Sequence, residues 1–277
     1  MAKGGVQDEA LGRVVDFFLR QNGFENQAAD TLRRALDEVI DGMRTGRWAV
    51  DSLEKTEKSY IGTKVEILFK FDFELEDGEK LDTRIEGAEV DIKCTVLRDW
   101  MIPREAVGEL CLLVRIDDAR SKFWIGIVRT SPEVLRPGKN QDGKTSLSAA
   151  GKKHIRWIIE EGILPANLLA TLDPKIRAQI LDSGSGQKRI NQLFRLVQRR
   201  VISRVDVETV ARQKDPMKRV RDARLHLAKE GILIIGHQGD DPAKAKKYGL
   251  PVPIKGEFVS VWVGIEQPGG RGGPFLL

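Results

Sequence analysis

Apolar side chains recur every three or four positions over roughly the first seventy residues and every second position over the next sixty, so helices precede strands. The stretches DEALGRVVDFFLRQNGF and NQAADTLRRALDEVIDGMRTG carry the helical spacing, the second with Leu32, Leu36, Val39, Ile40 and Met43 on one stripe and Gly46 as its stop. Ser52 is placed to cap a third helix reaching about Phe69, with Ile61, Val65 and Leu68 inward and Glu66 beside that apolar face. Strand-like segments follow at 80–86, 89–96, 109–116 and 123–129, rich in β-branched and aromatic residues. RPGKNQDGKTS (136–146) reads as a polar loop, 148–161 as a helix and 162–174 as a connection between domains. The predicted fold class is α/β, a mixed sheet flanked by helices in a first domain of residues 1–163.

The remaining residues, 164–277, have another character. QKRINQLFRLVQRRVI reads as a basic helix with Ile190, Leu193, Phe194 and Val197 buried. VDVETVARQ, a break at KDP, and MKRVRDARLHLAKEG then read as helix, turn, helix, with Pro216 in the first turn where its missing N–H costs little. GILIIG and FVSVWVG add two strands. Helix-turn-helix followed by a hairpin is a winged arrangement, mainly α, whose second helix would offer Lys218, Arg219, Arg221 and Arg224 to a DNA groove.

Charge sharpens this division. Residues 163–277 hold 20 Lys and Arg against 11 Asp and Glu, whereas residues 1–162 hold 26 against 30. A basic C-terminal part suits a polyanion, leaving carboxylates in the N-terminal part free for chemistry. With only Cys94, Cys111 and three scattered histidines, neither a disulfide framework nor a zinc site is supported, so a hydrolytic metal would need oxygen ligands. No apolar run is long enough to cross a bilayer and MAKGGVQDEALGRVV lacks a signal-peptide pattern, which predicts a cytoplasmic protein.

Those carboxylates centre on EGAEVDIKCTV. Alternation puts Val90, Ile92, Cys94 and Val96 on one face and Glu89, Asp91, Lys93 and Thr95 on the other. Taken alone, Asp91 and Lys93 are a solvent-facing ion pair on a half-buried strand, worth little. Asp82 stands on the preceding strand of a probable hairpin, however, and an acid, a spacer and Asp-x-Lys is the arrangement of metal-dependent nucleases of the restriction-enzyme type. Mg²⁺ wants hard oxygen ligands, which two carboxylates and the Ile92 carbonyl can supply, while Lys93 on the same face reaches the attacking water. Leu81 stands where a proline often precedes the first aspartate.

The segments DGMRTGRW (41–48), KTEKSYIGTKVEI (55–67), DTRIEGAEVDIK (82–93), KDPMKRVR (214–221), EGILIIGHQGDDP (230–242) and GLPVPIKG (249–256), in this order, resemble the NaeI family of type IIE restriction endonucleases. The resemblance spans both domains, though not the first 25 residues or the PGGRGGPFLL tail. It implies a bacterial homodimer: an N-terminal restriction-endonuclease-like domain cuts double-stranded DNA with Mg²⁺, and a C-terminal winged-helix domain binds a second copy of the site as activator. The metal and catalytic set it implies is Glu66, Asp82, Asp91 and Lys93. Two further readings stand beside it, a repair-type nicking endonuclease on the same fold and a non-enzymatic DNA-binding regulator.

Overall fold

Asp8 accepts a hydrogen bond from the Leu11 amide and starts α1 (Glu9–Leu19), which buries Leu11, Val14, Val15 and Phe18. The computed structural model describes residues 8–264 apart from 139 and 214, so Lys214 of the expected KDP break and the C-terminal tail lie outside the described residues. The described chain falls into two compact units, one running to Ile40 and resuming over Ala49–Ala166, the other joining Asp41–Trp48 to the chain from Asn167 onward. No helix among the described residues is long and apolar enough to cross a membrane.

In the first unit α2 (Phe24–Ile40) buries the Leu32, Leu36, Val39 stripe. It stops before Met43, because Asp41 takes a left-handed conformation (φ 46°) and the next turn, α3 (Gly42–Thr45), belongs to the second unit. The following helix, α4 (Lys55–Asp72), is not capped by Ser52, whose hydroxyl bonds the Ala49 carbonyl; Glu54 caps it, its own amide accepted by the Glu57 carboxylate at 2.8 Å. Phe18, Phe24, Phe69 and Phe73 of these helices stack in a chain of ring contacts 4.9–5.1 Å apart.

A six-stranded sheet follows in the order β1 (Glu76–Asp77), β2 (Thr83–Ile85), β3 (Ala88–Thr95), β4 (Leu110–Asp117), β5 (Lys122–Arg129), β6 (Arg156–Ile163). Only the β3–β4 pair is parallel. Side-chain alternation sorts its two faces. Val90, Ile92, Leu110, Leu112, Val114, Phe123, Ile125 and Ile127 pack against α1, α2 and α4, while Cys111, Leu113 and Val128 pack under Trp100, Ile102, Val134, Leu135 and Leu147 from two irregular segments. Helices thus flank one face and turns cover the other. The expected helix over 148–161 is instead a short 151–154 turn and strand β6. Register shifts around Ile125 interrupt the two-residue alternation there, and Glu161 is left-handed (φ 67°), which a helix would not tolerate. The strand expected at 80–86 is confined to Thr83–Ile85, because the amides before it turn to another acceptor described below.

The second unit contains α5 (Leu168–Thr171), α6 (Pro174–Leu181), α7 (Gly186–Leu196), β7 (Ile202–Ser203), α8 (Arg204–Ala211), α9 (Pro216–Ala228), β8 (Ile232–Ile235), α10 (Asp241–Lys247) and β9 (Glu257–Trp262). Its sheet order is β7-β9-β8. Phe194, Ile202, Val207, Val210, Val220 and Leu227 form the core, and Trp48 of the 41–48 segment packs on it beneath the Arg177 guanidinium, 4.0 Å from the ring centroid. Asn167 donates to the Trp48 carbonyl at 2.5 Å. The basic helix expected through residue 202 ends at Leu196, with Arg199 left-handed (φ 61°) just beyond.

Candidate active site

The β2–β3 hairpin sets the geometry. Its two-residue loop, Glu86–Gly87, has both residues left-handed (φ 49° and 77°), the turn that matches strand twist and that Gly87 makes accessible. This loop fixes Thr83 opposite Val90, and the same register carried one residue further sets Asp82 across from Asp91. The Ile92 amide donates to Asp82 Oδ2 at 2.7 Å, locking the first carboxylate onto the second strand.

Lys93 Nζ then draws three oxygens together: Asp91 Oδ1 at 2.8 Å, the Ile92 carbonyl at 3.2 Å and Asp82 Oδ2 at 3.4 Å. The solvent-facing ion pair of the local sequence reading is therefore overturned, since Asp91 is only 3% exposed. Its other oxygen accepts from the Cys111 thiol at 3.8 Å, the residue directly beside it on β4. Burial pushes Asp91 up to about 6, partly opposed by the hydrogen bond and charge of Lys93. Burial also works against the Lys93 ammonium, yet Asp91 and Asp82 together hold it above its ordinary range. The two shifts agree physically, because Asp91 is enclosed whereas the Lys93 side chain keeps 24% of its surface.

Glu66 lies on α4, half-buried, its carboxyl raised by burial and by the negative charge of Asp82, with Lys93 pulling the other way. It makes no hydrogen bond or ion pair among the described residues. Also among these, no three His, Cys, Asp or Glu side chains already converge on a metal position. The oxygens of Asp82, Asp91 and Ile92 nonetheless gather around a cation, the Lys93 ammonium. An all-oxygen donor set of this kind fits a hard divalent ion.

Sequence reasoning missed two supporting residues. Glu89 accepts from the amides of Glu79, Lys80 and Leu81 at 2.9, 3.1 and 2.9 Å, pinning the segment that delivers Asp82. Cys111 supplies the thiol donor to Asp91. Glu89 is signalled only as an extra acid on the same strand face, and nothing in the sequence marks Cys111.

On α9 Lys218 and Arg221 are exposed, along with Leu225 at 71%. Arg221 sits 3.7 Å from Asp215 and the half-buried Arg219 3.6 Å from Asp222. Arg224 is turned to Asp241 at 3.2 Å, and that carboxylate also accepts the Gly236 amide at 2.7 Å. Of the basic side chains on α7, Arg189 bonds the Val210 and Ala211 carbonyls and Arg195 pairs with Glu230.

A family model described as restriction endonuclease NaeI matches residues 12–276. The chain is similar to a type II restriction enzyme NaeI from Lentzea aerocolonigenes, 41% identical over 267 residues that cover 92% of this chain and 84% of the relative.

Proposed function

The chain belongs to the NaeI restriction endonuclease family and is a site-specific deoxyribonuclease, and from that premise we propose that its first unit cuts duplex DNA with Mg²⁺ at Asp82, Asp91, Glu66 and Lys93. The observation carrying this reading is the convergence of Asp82, Asp91 and the Ile92 carbonyl on the Lys93 ammonium. These three oxygens, joined by the uncommitted Glu66, would hold the ion. When bound, Mg²⁺ supplies Lewis-acid polarisation of the phosphate and lowers the pKa of water. The protein's own residues do the rest. Asp82, fixed by the Ile92 amide, and Asp91, enclosed beside Cys111, orient the donor set, and Lys93 places a positive charge and N–H donors where negative charge grows on the phosphoryl oxygens. Water attacks phosphorus, the bond to the leaving sugar oxygen breaks and that oxygen gains a proton, giving a phosphate monoester and an alcohol.

For the second unit the proposal is a winged-helix module that binds a second copy of the site and activates cleavage within a homodimer. Supporting it are the succession α8, turn, α9, the β7-β9-β8 sheet order and the outward Lys218 and Arg221. The functional division expected at residues 163 and 164 is part of this proposal, with the 41–48 segment packing into the second unit.

Digestion of plasmid DNA tests both parts. Cleavage of both strands at one sequence in Mg²⁺ and none in chelator is expected, with Asp91→Ala at least about three decades slower. Single-strand nicks would favour the repair reading, and no cutting the regulator reading. Plasmids with two sites should be cut faster than those with one, and short duplexes bearing the site should accelerate the latter.

A further inference from the structure

On the face of the sheet that carries Asp91 and Lys93, Arg115 has no counter-ion among the described residues. Arg115 follows Cys111 and Leu113 on that face of β4, pairs with Thr95 of the catalytic strand, and lies two residues beyond Leu113, the partner of Lys93. Its guanidinium stacks on Trp124, directly opposite on β5, 4.6 Å from the ring centroid. Its Nε is buried without a hydrogen-bond partner. The neighbouring acids are engaged elsewhere: Asp99 by Lys152 at 2.5 Å and Arg136 at 3.4 Å, Asp117 by the Arg120 amide at 3.1 Å, and Asp118 by Arg33 at 2.6 Å. Arg115, half-exposed, lines a surface concavity with Leu97, the exposed Arg98, Met101 and the already engaged Asp99 and Asp117.

We propose that Arg115, held over the Trp124 ring, grips a backbone phosphate of the bound duplex about two nucleotides from the scissile one. The inference rests on the endonuclease reading of the first unit. An arginine fork suits two phosphate oxygens, and stacking on an aromatic face fixes the plane of that fork before DNA arrives. Spacing agrees. Same-face residues on a strand recur about every 6.6 Å and strands lie about 4.8 Å apart, so Arg115 sits roughly 8 Å from Lys93 by backbone position. That span corresponds to about two nucleotides at about 3.4 Å of rise each. The role is positioning, since Arg115 stands away from the phosphorus attacked.

The test starts from the site mapped by plasmid digestion with the wild-type chain. Duplexes carrying that site, each with a single uncharged methylphosphonate at successive positions, are titrated in chelator with wild type, Arg115→Gln and Arg115→Lys, and thermal unfolding is recorded for each. Wild type should lose about tenfold or more in affinity at one position near the cut. Arg115→Gln should bind the unmodified duplex more weakly by a similar factor, ignore neutralisation at that position alone, and show a log–log salt slope smaller by about one. Arg115→Lys, which keeps the charge but not the stacking plane, should retain the slope. If Arg115→Gln keeps the wild-type slope and the full methylphosphonate profile, the phosphate role is wrong and Arg115 serves only to pack Trp124. The same conclusion follows if Lys and Gln variants lose stability and affinity in parallel. If the wild-type chain cuts no plasmid, the endonuclease reading fails and takes this inference with it.

Discussion

Replacing Lys93 with Met should make the first unit depend on divalent cations for its stability as well as its activity. Two carboxylates, Asp82 and Asp91, share one ammonium whose charge also reaches Glu66, and Asp91 is nearly sealed from water. Stripping one partner from a fully buried pair costs about 3–5 kcal/mol. Here Lys93 retains 24% of its surface, and without the lysine charge that lowers it the Asp91 carboxyl rises above its native value of about 6 and can take up a proton, so near neutrality we expect about 2 kcal/mol. For a unit of this size that lowers Tm by about 4–8 °C. Binding of a divalent ion at a hundredfold excess over its Kd returns about 2.7 kcal/mol, enough to restore the variant. Wild type should respond less, because its own ammonium competes for the same oxygens. Thermal unfolding followed by tryptophan fluorescence is the assay, since Trp100, Trp124 and Trp157 all lie in the first unit. A Lys93→Met chain as stable as wild type in chelator, or one unmoved by Mg²⁺, would refute the claim that these oxygens need a cation at their centre.

Ile92→Asp, at a site 3% exposed against the helices, should destabilise by about 3–5 kcal/mol and appear as a lowered urea midpoint with little soluble protein. Asp8→Asn should cost about 1 kcal/mol at pH 7, as it removes the ion pair to Arg129 at 2.5 Å while its amide oxygen still caps α1. Because the Arg129 hydrogen bond holds the Asp8 carboxyl below its ordinary range, that difference is present above about pH 4 and vanishes as pH falls through the depressed native value; a pH-independent gap in urea titrations would contradict it. Lys218→Ala and Arg221→Ala should each reduce the salt slope of DNA binding by about one, whereas Arg224→Ala should leave the slope alone and lower stability through the lost Asp241 contact. Equal slope changes in all three would remove the distinction.

Residue types and strand alternation were enough to expect Asp82, Asp91, Ile92 and Lys93 side by side, because a hairpin's register is set locally and its turn residues are visible in the chain. The enclosure of Asp91 was not legible. It depends on Cys111 from a strand paired in parallel some twenty residues away and on a cover of irregular segments with no periodicity of their own. β6 was misread because a bulged strand loses its alternation, and the spacing of Ile155 just before it with Ile158 and Ile159 then imitates a helix. The start of α4 was displaced because Ser52 and Glu54 compete as caps, and only the folded 50–52 turn decides between them. On α9 the sequence offered four equivalent cations; Asp241, far along the chain, is what withdraws Arg224 from that set.

The segment 41–48 is cut from between two helices of one unit and spent in the core of the other, where Trp48 sits between Arg177 and the Asn167 amide. A gene fragment beginning near residue 164 would therefore encode the second unit without one of its own walls. On the ribosome that wall is made long before the rest of its unit and must wait, exposed, until Asn167 and Arg177 emerge. Recombination at a single junction cannot transplant either unit whole, so the two are bound into one inheritance by the path of the chain itself.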